Sequence, residues 1–239
     1  MKNNIIRRIA DERANVSDCR NYRKFMRYTK EILDAALFNL QNSDVKERKK
    51  TATVFMKAAC AELGTKNTKP VKEWFVLNID AYLTVLKKET DNENLWINIY
   101  TLQQFCDRYI NSAYLFKISS DTLTEDNIKA VEEKAKAYVK DLLAVHKHPK
   151  VLQAAASFLW IYREPFVWDI FTEVLKKKRD KLTLSHIGRA IRQCCDLSRE
   201  SDGSAYISDL QLRKLLEVLE TGKILQRETE LLRNKVTRE

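Results

Sequence analysis

Two groups of cations in this chain are spaced for contact with phosphate. In the segment CRNYRKFMRYTK, Arg20, Arg23, Arg27 and Lys30 recur three or four residues apart, so on a helix they share a face. Lys24 lies among them, and Tyr22, Phe25 and Tyr28 are interleaved. The second group is the run Lys176, Lys177, Lys178 and Arg179, followed by Arg189 and Arg192 on the polar side of the next helical pattern. Such cations neutralise phosphates and release counterions, and aromatics among them offer bases a stacking surface. The expected function is a non-enzymatic helical binding module that contacts nucleic acid or a ribonucleoprotein through clusters at 20–30 and 176–192.

The charge is unevenly distributed. Net charge is +10, and residues 1–30 hold nine Lys/Arg against three Asp/Glu. Residues 151–200 hold nine against six, while 31–50, 51–100 and 201–239 balance. Cations at a helix C-terminus also complement the dipole, so the run at 176–181 equally suits a solvated helix end. This leaves an alternative function, a protein–protein interaction scaffold that docks partners through helical faces and the C-terminal segment 204–239.

A third chemistry comes from Trp160, Tyr162, Glu164, Trp168 and Asp169. Aromatics with a carboxylate on a basic scaffold could hold an extruded base, as a base-excision-type DNA repair enzyme does. The same aromatics at helical spacing also suit a core. His146 and His148 stand two apart, so on a helix they do not share a face, and no Cys or carboxylate lies at ligand spacing beside them. His186 would have to reach across two turns to activate Cys194. Glycine-rich phosphate loops, G-x-S-x-G and H-E-x-x-H do not occur in the sequence. The sequence thus leans against an enzyme, and no catalytic residue, metal ligand or cofactor is expected.

These residues must be positioned by helices. The chain of 239 residues has only 4 Gly and 3 Pro, and 32% of it is charged. Apolar residues recur at helical spacing nearly throughout, as in Leu152, Ala155, Ala156 and Leu159. An all-α fold follows: a multi-helix stack, either an irregular α-solenoid (HEAT-like) or an orthogonal helical bundle, of about 8–10 helices. No fixed repeat period is found. Ser17 or Asp18 is expected to cap a helix running to about Gln41, and Ser43 and Asp44 the next. Pro70 suits a first helical position. Thr122 with Glu125 reads as a capping box, Thr183 or Ser185 as a later cap, and Ser204 or Ser208 as the last. The polar stretch 118–123 divides an N-terminal half, 1–117, from a C-terminal half, 124–239, and the two are expected to form one continuous domain.

No apolar run reaches the roughly 18 residues a membrane span needs. The opening MKNNIIRRIADER is charged too early for a secretory signal. The 5 Cys show no framework spacing and read as reduced thiols. An intracellular location, cytoplasmic or nuclear, is therefore expected, with no membrane partner.

Overall fold

A computed structural model describes residues 28–60, 68–106, 120–177, 179–196 and 207–236. Among these residues the fold is all-α, as the periodicity requires, with ten helices: α1 Lys30–Asn39, α2 Val45–Ala59, α3 Thr68–Leu86, α4 Asn92–Cys106, α5 Glu125–Val145, α6 Pro149–Trp160, α7 Val167–Lys177, α8 Lys181–Asp196, α9 Asp209–Gly222 and α10 Gln226–Val236. No described helix is long and apolar enough to cross a membrane.

The caps explain where these helices begin. Asp44 accepts the Lys46 amide at 2.8 Å and starts α2. Ser208 and Gln211 form a reciprocal capping box on α9. Three starts differ from the sequence reading. Thr29 is extended and caps α1, which breaks the expected helix to Gln41 at this point; its expected start at Ser17 or Asp18 lies outside the described residues. Thr124, rather than Thr122, caps α5 by accepting the Asn127 amide at 3.2 Å. Asp180 caps α8: its carboxylate accepts the Thr183 amide at 3.2 Å and the Thr183 hydroxyl at 2.8 Å. Thr183 already lies inside the helix and serves as donor. Pro70 is the third residue of α3, within the first turn, where an amide needs no intrahelical acceptor.

The chain divides into two compact units, Met1–Leu142 and Leu143–Glu239. In the first, α2 packs against α4, α1 rests on α2 and α3, and α3 also touches α2 and α4. Phe55, Phe75 and Tyr82 are fully buried at its centre, with ring centroids 5.1 Å apart for Phe55–Tyr82 and 4.5 Å for Phe75–Phe105. The Tyr82 hydroxyl donates to Asn98 at 3.0 Å, and burial raises its pKa. The Trp74 indole donates to Asp34 at 2.7 Å.

Arg48 sits in the first turns of α2, where its charge opposes the dipole. Glu89 offsets it through bonds of 2.8 and 2.9 Å to Nε and Nη2. The third guanidinium nitrogen, Nη1, donates to the carbonyls of Asn42 and Ser43. Glu89 also accepts the amides of Thr90 and Asp91 and the Asn94 side chain. One ion pair thus ties the start of α2 to the α3–α4 turn.

In the second unit, α6 packs on α7, α7 on α9, α9 on α10, α10 on α8 and α8 on α6. These contacts close into a ring, whereas a solenoid repeat touches only its sequence neighbours. Within this unit the helices form a closed bundle. Ala154, Ala155 and Ala156 are buried on α6, and Trp168 and Phe171 are wholly buried on α7.

Candidate nucleic-acid interface

The apolar side of α7, Val167, Phe171, Val174 and Leu175, is buried, which leaves Lys176 and Lys177 exposed in its last turn. The chain then turns through Arg179 to the Asp180 cap. Helices α7 and α9 run parallel. At their starts, Gln211 Nε2 donates to Asp169 at 2.7 Å and to the Pro165 carbonyl at 3.0 Å. At their ends, Arg179 lies against Gly222. Two helix C-termini therefore meet in one place.

Lys176, Arg179, Lys214, Glu217, Val218 and Thr221 line an open depression of about 260 Å³ there. Lys214, Glu217, Val218 and Thr221 recur at helical spacing and form one wall from α9. Arg179 is held in place: its Nε donates to the Leu175 carbonyl at 2.9 Å and closes the end of α7. Lys176 donates to Glu173 at 2.6 Å. That bond, together with the charges of Lys176, Lys177 and Lys214, holds the Glu173 carboxyl below its ordinary range. Lys177 and Lys214 therefore share one field with Lys176.

Each helix end contributes about half a negative charge. Lys176, Lys177, Arg179 and Lys214 outweigh Glu173, Glu217 and both dipoles together. Among the described residues, Lys177, Arg179 and Lys214 make no ion pair with a carboxylate.

The other expected site residues are placed as follows. Arg20, Arg23, Lys24, Arg27 and Lys178 lie outside the described residues. Lys30 is exposed as the first residue of α1, in the first unit. Arg189 is exposed on α8, where its charge adds to burial in lowering the His186 pKa, burial being the larger cause. Arg192 is paired with Glu228, whose side chain is 7% exposed, so it braces α8 against α10. Lys214 belongs to neither of the expected clusters. Its spacing to Glu217 and Thr221 was visible in the sequence, but its proximity to Lys176 depends on the pairing of α7 with α9.

Of the aromatic cluster, Trp168 is core, while Trp160 and Tyr162 are half-buried. Trp168 is wholly buried, with Trp160 edge-on at 4.8 Å and Phe171 at 5.8 Å. Asp169 is exposed and bonded to Gln211, so the carboxylate and the indole diverge. His148 precedes α6 as its N-cap residue without a side-chain cap bond. Among the described residues, no three His, Cys, Asp or Glu side chains gather where they could hold a metal.

No protein-family model matches the chain, and no curated protein matches it.

Proposed function

We propose that this chain is a helical module that binds nucleic acid through the phosphate backbone, with Lys176, Lys177, Arg179 and Lys214 as the contacting cations. One observation carries this reading: Lys176, Arg179 and Lys214 line one open depression between the ends of two parallel helices, and two of the three, Arg179 and Lys214, make no ion pair with a carboxylate among the described residues. Backbone contact supplies affinity without sequence readout, so the expected binding is broad and strongly salt-dependent.

The test is affinity against salt for single- and double-stranded DNA and RNA. Four phosphate contacts give a log–log slope of about −3 to −4. Reversing two of them, in Lys177→Glu with Lys214→Glu, flattens the slope by about 2 while leaving thermal stability close to wild type. No binding to any of these ligands at moderate salt overturns the reading. An unchanged slope in the double variant moves the interface elsewhere.

The base-excision reading has less support, because Trp168 is wholly buried while Asp169 is exposed and bonded to Gln211.

A further inference from the structure

The depression contains more than an anion site requires. Its α9 wall presents a carboxylate, Glu217, and a hydroxyl, Thr221, between the cations. Among the described residues, Glu217 forms no hydrogen bond or ion pair, although Lys176, Arg179 and Lys214 line the same space. Thr221 is also unusual. The helical residues Thr51, Thr53, Thr84, Thr101, Thr172 and Thr229 each donate to the carbonyl four residues earlier in the chain. The Thr221 hydroxyl has no such bond and no other partner among the described residues.

We propose that this depression is a ribose–phosphate subsite that favours RNA over DNA, an inference that rests on the nucleic-acid reading above. Arg179 and Lys214 take the phosphate. Arg179 is already oriented by the Leu175 carbonyl and the surface of Gly222, so its binding geometry is set before the ligand arrives. Glu217 accepts from the ribose 2′-hydroxyl, a pairing that acidic side chains make in ribose recognition. Thr221, both donor and acceptor, completes the contact with the sugar. The 2′-hydroxyl is the group by which a protein distinguishes the two nucleic acids at one site.

The carboxylate also discriminates by repulsion. A DNA strand brings phosphates beside Glu217 and no hydroxyl to satisfy it. DNA therefore meets the same phosphate–carboxylate repulsion as RNA without the hydrogen bond that offsets it.

The test uses the full chain with matched single-stranded RNA, DNA and 2′-O-methyl RNA at one salt concentration. RNA is expected to bind about tenfold more tightly than either of the others, as one charge-assisted hydrogen bond provides. Glu217→Ala should narrow that gap to about twofold, losing RNA affinity and gaining DNA affinity. Lys214→Ala should weaken RNA and DNA alike. Equal wild-type binding of RNA and DNA, with a steep salt slope, overturns the ribose subsite and leaves the phosphate reading standing. A gap that survives Glu217→Ala also overturns it. No binding to any strand overturns both.

Discussion

The guanidinium of Arg179 lies directly against the backbone of Gly222: a methyl added to that glycine would stand 3.0 Å from Arg179 Cζ and Nη1. The glycine is thus used for close approach between the ends of α7 and α9. The left-handed position that glycine usually occupies after a helix falls one residue later, on Lys223, with φ 50°.

Gly222→Ala is expected to move Arg179 off the Leu175 carbonyl. Lower chain entropy in the unfolded state stabilises by about 0.4–1 kcal/mol, and the lost bond costs about 0.5–1.5 kcal/mol, so stability changes little. Binding should respond instead, with the salt slope flattening by about 1. A large fall in melting temperature with an unchanged slope would show that Arg179 is structural only.

Lys223 closes α9 with the bonds of a Schellman motif, Ile224 N–H to the Leu219 carbonyl at 3.1 Å and Lys223 N–H to Glu220 at 3.1 Å. A left-handed conformation costs a residue with a Cβ about 1–2 kcal/mol. Lys223→Gly should therefore raise stability by roughly 0.5–1 kcal/mol in urea titration. A loss would mean that the lysine side chain contributes more than its backbone costs.

Glu89 supports a pH prediction. Burial raises its pKa, but bonds from Arg48, the Asp91 amide and Asn94, with the Arg48 charge, outweigh burial and leave it lowered. A carboxyl with a depressed folded pKa stabilises above the unfolded value of about 4.3, and that stability disappears as pH falls through the folded value. Wild-type protein should lose stability over this acid range, and Glu89→Gln should show a weaker dependence. At neutral pH the same substitution should cost about 3 kcal/mol, since it leaves Arg48 with its side chain 15% exposed and without its partner charge. Denaturation at pH 7 and pH 4 separates the two effects.

Trp168→Ala should destabilise by about 3–5 kcal/mol, the cost of emptying a packed aromatic site. Unfolding followed by circular dichroism measures this directly. A variant that keeps wild-type stability but loses a ligand or an activity would place Trp168 in a site and not in the core.

The helices were legible in the sequence because their cause is local. The apolar repeat on α6, the near absence of glycine and the Asp44 and Ser208 caps each act within a turn or two. A cap is ambiguous in the sequence where several neighbouring residues can accept a first-turn amide. Thr122 and Thr124 are both competent, as are Asp180 and Thr183, and the choice follows from where the packed helix must begin.

The basic run at 176–179 was also legible, as a run. Its electrostatic meaning was not, because that depends on residues distant in sequence. Arg192 is separated by 36 residues from the Glu228 that engages it. Lys214 joins Lys176 only because α7 and α9 lie side by side with their ends together. Local sequence determined which residues are helical and which faces are apolar. Tertiary structure decided which faces were buried against each other, and so which cations found a carboxylate and which were left facing the depression.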